Sequence, residues 1–222
     1  MLLKILFYVI FIYMQNICLI IGAGAGVGGN VAKVFADDGY HVYLTRRSDE
    51  SGLKKLIDTI NASGGKASGK LMNAIKDNTI EDLIHEVEKD LGPISVVVYN
   101  LGAQIGNKKL EDLTLKQFDL GLKMGTVGIF RLSKTLFPYM VKRGGGTFIA
   151  TSSTASVRGN RGQHSHAAAM GARRMLCQTL NDEFSIKGIH IVHAIIDGAV
   201  DAPDTLGLSL IHISEPTRPS SI

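Results

Sequence analysis

Residues 16–21 (Asn-Ile-Cys-Leu-Ile-Ile) are an almost wholly apolar run, and the chain passes from them directly into Gly22-Ala23-Gly24-Ala25-Gly26-Val27-Gly28. Helical spacing begins at once, with apolar residues at Val27, Val31, Val34 and Phe35. The run reads as a buried parallel strand, because both of its faces are apolar. A strand that ends in glycines and opens a helix constrains the fold strongly. Backbone free of side chains can approach a pyrophosphate closely, and the free N–H groups of a helix N-terminus meet its charge. Gly22, Gly26 and Gly28 are the expected turning points, with Gly24, Ala25 and Val27 completing the loop. The plain alternative is a tight turn with no ligand.

The rest of the chain alternates strand and helix signals. Strands are expected at residues 41–45, 70–72, 94–99, 147–151 and 189–196, the run Ile-Ser-Val-Val-Val-Tyr at 94–99 being the clearest. Helices are expected at about 52–61, 80–91 and 165–186. Another long helix should start at Thr114, where Thr114 and Gln117 have capping-box spacing, and run through Phe118, Leu122, Ile129, Leu132, Leu136 and Met140. Pro138 should kink its last turn. Strands separated by helices imply a parallel sheet with right-handed crossovers and helices on both faces, an α/β doubly wound fold.

Charge and cysteine content exclude less. A net charge of +4 fits nucleic acid only if the basic residues cluster, and they are scattered. Cys18 and Cys177 sit in apolar periodic segments without metal-ligand spacing, so no metal is expected and both thiols are read as reduced and buried, in a cytoplasmic protein. Residues 1–13 are apolar apart from Lys4. A membrane anchor there would run into a buried strand with almost no linker, so an extension upstream of a natural start at Met14 is the favoured reading over an anchor. Residues 209–222 have a composition unrelated to the preceding chain and resemble a translated sequencing-library adapter. The domain is therefore expected to span residues 14–208, with a non-native tail beyond it.

Several motifs together resemble the short-chain dehydrogenase/reductase family. The spacing of Gly22, Gly26 and Gly28 is similar to the family's G-x-x-x-G-x-G. Tyr99-Asn100-Leu101-Gly102 resembles its Asn-Asn-Ala-Gly, Ser153 falls where the family keeps an active-site serine, and Asp197-Gly198 stands at its Pro-Gly turn. The resemblance covers residues 16 to about 206. It implies a Rossmann-type sheet with six strands here and the family's last strand missing, and hydride transfer between a nicotinamide cofactor and a small carbonyl or alcohol substrate. It also implies a homo-oligomer for a full-length chain. Cofactor contacts are implied for Gly22, Gly24, Ala25, Gly26, Val27, Gly28, Asn73, Asn100, Gly102 and Gly198. At the end of the second strand Arg46 and Arg47 replace the carboxylate of NAD enzymes. A guanidinium pairs bidentately with phosphate, so NADP is expected over NAD.

The catalytic pattern departs from the family. Its Tyr acts as acid/base beside a Lys four residues later that lowers the phenol pKa. Here His166-Ala-Ala-Ala-Met170 occupies that stretch, Gly125 stands where an Asn is expected and Ala202 where a Thr is expected. Two readings are open. Either His166 is the acid/base, since an imidazole titrates near neutrality unaided, with Ser153 holding the substrate oxygen; or the chain binds NADP without catalysing anything. His164, two positions earlier, should point elsewhere on a helix. Arg158, Arg161, Arg173 and Arg174 read as a solvated rim.

Overall fold

A computed structural model describes residues 16–102 and 106–198. Six strands form one parallel sheet in the order β3-β2-β1-β4-β5-β6. They are β1 (Ile17–Ile21), β2 (His41–Arg46), β3 (Lys66–Leu71), β4 (Ile94–Tyr99), β5 (Gly146–Ser153) and β6 (Ile189–Ile196). The helices are α1 (Val27–Asp37), α2 (Glu50–Ala62), α3 (Thr79–Asp90), α4 (Leu115–Leu122), α5 (Gly128–Lys142) and α6 (His164–Phe184). The doubly wound α/β architecture expected from the alternating pattern is the one found. The apolar run at residues 1–13, the tail at 209–222 and Ala202 lie outside the described residues.

Side chains alternate across a strand, so each strand feeds two cores. Cys18 and Ile20 of β1 join Val42, Leu44, Val96 and Val98 beneath α1 and α2, which contribute Ala32, Ala36, Leu53, Leu56 and Ile60. Ile17, Leu19 and Ile21 point the other way, into a larger cluster built with α3, α5 and α6. In that cluster Phe137 meets Phe148 and Phe184 edge-on, with ring centroids 6.0 and 5.0 Å away. Arg131 of α5 clamps Glu81 of α3 through Nε–Oε1 and Nη2–Oε2 bonds of 2.8 and 2.6 Å. Among the described residues no helix is long and apolar enough to cross a membrane.

Two elements differ from expectation. The third strand begins at Lys66, four residues before the expected start at 70. Ala67, Ser68 and Gly69 carry little strand propensity, and it is ladder pairing with all of β2 that extends them. A Cβ on Gly69 would lie 2.1 Å from the Leu44 carbonyl oxygen, so this strand needs its glycine.

The second difference is the long helix expected from Thr114. Its capping box is present, but a π-turn at Lys123–Val127 divides it into α4 and α5. Pro138 lies inside α5, and the break falls well before it. Leu122 and Ile129, on either side of that turn, are seven residues apart, a spacing that also fits an uninterrupted helix, so the pattern alone does not show the π-turn. Contacts from outside the helix meet that turn, Arg173 Nε donating to the Gly125 carbonyl and Tyr99 Oη to the Met124 carbonyl, each at 2.7 Å.

Two predictions concern stability. Phe137→Ala removes a fully buried ring that touches two others and should cost roughly 3–5 kcal/mol, read from urea midpoints. Burial also lowers the pKa of His41 and of His193. A histidine kept neutral by the fold contributes stability that is complete above its unfolded pKa of about 6.5 and is lost as pH falls below it. The melting temperature should therefore drop between pH 7.5 and 5.5, and the double variant His41→Gln/His193→Gln should flatten that drop.

Candidate active site

The strand order reverses between β1 and β4, and the crevice at the carboxyl ends of these strands is where doubly wound sheets bind ligands. The glycine loop lines it. Gly22 has φ +96°, and a Cβ there would lie 2.7 Å from the Asn100 carbonyl oxygen. At Gly28 a Cβ would come within 2.2 Å of the Gly22 carbonyl. Gly24 and Ala25 are exposed at the crest of the loop. Gly26 caps α1 without a side-chain hydrogen bond, and no acid occupies the first turn, which Val27 begins. The loop thus offers close backbone approach and N–H groups to an anion, as a pyrophosphate requires.

Asn100 has a bracing position. Its Nδ2 donates to the Gly22 carbonyl at 2.9 Å, and its Oδ1 accepts from Thr151 Oγ1 at 2.8 Å. One amide therefore ties the glycine loop to β5.

Arg46 donates through Nε to the Ala23 carbonyl at 2.6 Å and pairs through Nη1 with Asp49. Its guanidinium lies under the glycine loop, while Arg47 beside it is exposed. Asp49 was not singled out by sequence, although it caps α2 by accepting the Gly52 N–H at 2.9 Å, a recognisable N-cap signal. That N–H, with help from Ser51 and Arg46, holds the Asp49 carboxyl below its ordinary pKa. A narrow cleft of about 50 Å³ adjoins this corner, lined among others by Gly22, Arg46, Arg47, Met72, Asn73 and Leu101. Asn73 is partly folded back on its own loop, its Oδ1 accepting the Ile75 N–H at 3.4 Å.

A second cleft, of about 210 Å³, opens beyond Asn100 and is lined by Gly102, Thr151, Ser152, Ser153, His166 and Met170, with Arg173. The structure brings together the two residues that sequence proposed for catalysis: Ser153 Oγ and His166 Nε2 are 3.0 Å apart. Ser153 ends β5 and His166 lies in the first turn of α6, so the packing of that helix against the sheet makes the pair. Met170 is 2% exposed and accepts a weak hydrogen bond from Ser152 Oγ at 3.6 Å. Gly198, with φ +127°, follows β6 on an exposed turn.

His164 lines a separate open cleft with Lys108, Lys109 and Arg161. Arg173 does not belong to a solvated rim: it is 1% exposed, because it points along the inner face of α6. Among the described residues no group of three or more His, Cys, Asp or Glu is placed to hold a metal ion.

Comparison with known proteins agrees with this geometry. The family profile described as short chain dehydrogenase matches residues 16–207. The chain is 28% identical over 194 residues to the 3-oxoacyl-[acyl-carrier-protein] reductase FabG of Thermotoga maritima, covering 86% of this chain and 76% of that protein. It is 28% identical over 206 residues to the oxidoreductase UcpA of Salmonella typhimurium, covering 92% and 76%. Among solved structures, a short-chain dehydrogenase from Rhodopseudomonas palustris superposes with a TM-score of 0.78 at 28% identity, covering 86% of this chain and 87% of that one. A gluconate 5-dehydrogenase from Burkholderia cenocepacia J2315, in complex with NADP and tartrate, shares the fold with a TM-score of 0.76 at 23% identity, covering 82% and 71%. The chain belongs to the short-chain dehydrogenase family, whose members bind NAD(P) and act as oxidoreductases on small molecules.

The loop geometry yields a direct test. Gly28→Ala puts a methyl group into the Gly22 carbonyl and 2.8 Å from Asn100 Nδ2, so the loop must move. NAD(P)H affinity, measured by titration calorimetry, should fall at least about tenfold, the equivalent of 1.4 kcal/mol, while the circular dichroism spectrum stays that of the parent.

Proposed function

We propose that this chain is an NADP(H)-dependent oxidoreductase that interconverts a small carbonyl compound and its alcohol, with Ser153 and His166 as its acid/base pair. The observation that carries the reading is the 3.0 Å contact between Ser153 Oγ and His166 Nε2, in a cleft joined to the glycine loop through Asn100. When bound, the reduced nicotinamide supplies the hydride to the carbonyl carbon. Ser153 Oγ donates a hydrogen bond to the carbonyl oxygen and holds it in place. As negative charge develops on that oxygen, the Ser153 proton passes to it and a protonated His166 replaces the Ser153 proton through Nε2. His166 is then neutral and regains its proton from solvent. Alcohol oxidation runs the same proton path in reverse, with neutral His166 as the base. An imidazole suits both directions near neutral pH because its ordinary pKa is about 6.5.

Cofactor choice rests on Arg46 and Arg47. Arg47, exposed at the end of β2, would hold a 2′-phosphate, with the Arg46 guanidinium beside it; no carboxylate occupies the strand end itself. Asp49 lies three residues on and is turned to Arg46 and to the Gly52 N–H, so it is committed to the fold of this corner. The Burkholderia cenocepacia relative with NADP bound shares the fold, and so does a 7α-hydroxysteroid dehydrogenase complexed with NADH, which is 26% identical. The basic pair is what favours the phosphorylated cofactor here.

Two experiments test this reading. Across a panel of ketones and aldehydes with NADPH, wild-type turnover should be lost by at least about a hundredfold in kcat in His166→Ala and in Ser153→Ala, with NADPH affinity retained. Tight NADPH binding with no turnover by the wild type would instead make the chain a silent nucleotide binder. Arg47→Glu should weaken NADPH binding by about tenfold or more and leave NADH binding nearly unchanged; equal losses for both would overturn the NADP assignment.

A further inference from the structure

Arg173 heads the fully buried side chains of the described residues by volume, at 1% exposed. It makes no ion pair with a carboxylate among those residues, and it keeps its charge because a guanidinium does not deprotonate in a protein. Its Nε donates to the Gly125 carbonyl at 2.7 Å and its Nη2 to the Leu101 carbonyl at 2.7 Å, while Nη1 donates to the Thr151 carbonyl. The Cζ atom stands 5.4 Å from the centroid of the Tyr99 ring, a cation–π contact. Burial pushes the Tyr99 phenol up to about 12, so Tyr99 is neutral and supplies no counter-charge. An apolar side chain would fill this space without burying an unanswered charge.

Two of the three carbonyls, those of Leu101 and Thr151, belong to segments that wall the Ser153–His166 cleft, and the third belongs to the π-turn behind it. Leu101 lies between Asn100 and Gly102; Thr151 is two residues before Ser153 and bonds Asn100; Gly125 is in the π-turn. The guanidinium thus meets the helix at the turn where its regular i→i−4 bonding is interrupted. Gly125 and Met170 are two of the positions where this chain departs from its family's pattern. The guanidinium bonds the first directly and lies three residues along α6 from the second, on the same helix face and lining the same cleft.

We infer that Arg173 is the positioning residue of this site. From nearly one turn further along α6, it supplies the cation that is absent at position 170 and locks the nucleotide side of the cleft to the Ser153–His166 side. The nucleotide part of this inference rests on the function proposed above.

The test uses the full chain with Arg173→Met, Arg173→Lys and the double variant Arg173→Met/Met170→Lys. NADPH affinity is measured by calorimetry, and the His166 ring resonances of the nucleotide-free protein by NMR, assigned through His166→Gln. Arg173→Met is expected to weaken NADPH binding at least tenfold and to shift the His166 resonances while those of His85 and His190 stay in place. Arg173→Lys should recover part of both effects, and Met170→Lys should restore affinity in the Arg173→Met background. Unchanged affinity and unchanged His166 resonances would overturn the inference, as would failure of all three variants to fold, which makes Arg173 a purely structural brace. If the wild type binds neither NADPH nor NADH, the proposed function fails instead, and the His166 resonances still decide the role of Arg173.

Discussion

Parallel pairing of β1 with β4 is the constraint on which the site depends. β1 pairs with β2 on its other edge, so consecutive crossovers leave in opposite directions at this point and, among the described residues, no helix covers the carboxyl ends of the two strands. The glycine loop and the Asn100 turn face each other across that gap. They are joined by the Asn100 amide and the Gly22 carbonyl at 2.9 Å, and Thr151 extends the link to β5. Backbone approaches backbone closely there, the Asn100 carbonyl beside Gly22 and the Gly22 carbonyl beside Gly28, which is why neither position has room for a Cβ.

The two clefts differ in their chemistry. On one side the chain offers backbone N–H groups and the Arg46–Arg47 corner, suited to phosphates. On the other it offers a hydroxyl and an imidazole in contact, beside buried Met170. The family's usual phenol needs a neighbouring ammonium to titrate near neutrality, whereas an imidazole does not. Replacing both residues together is therefore chemically coherent: Met170 no longer has a phenol to serve and packs instead. What an ammonium also provides, a fixed positive charge in the wall of the cleft, is present at Arg173.

Burial of that guanidinium shows why an arginine next to an active site need not be a surface residue. Of the other arginines near it in sequence, Arg158 and Arg161 are exposed and Arg174 is half-buried. Arg158 and Arg161 precede α6, whereas Arg173 lies on the face of that helix that meets Leu101, Thr151 and the π-turn at Gly125. The carbonyls of Leu101, Thr151 and Gly125 match the directions of a planar fork, a fit that lysine cannot reproduce.

Local chemistry was enough to reveal the alternating strands and helices and the glycine loop after β1, and to single out the basic end of β2 and the candidate pair Ser153 and His166. Each rests on spacing or on a residue type whose physical use is nearly unique. The capping box at Thr114 was legible for the same reason. The rest was decided in three dimensions. Lys66–Leu71 is a strand because β2 presents unpaired carbonyls and N–H groups along its whole length, not because its residues prefer to be one. The long helix breaks at Lys123–Val127, where Arg173, 48 residues away, donates to the Gly125 carbonyl and Tyr99 to that of Met124. Asn100 braces the loop because its two bonding partners lie 78 residues before it and 51 after it. Sequence determined which groups the chain has for binding and proton transfer; only the packing of α6 against the sheet determined which of them meet, since that contact depends on partners no local pattern encodes.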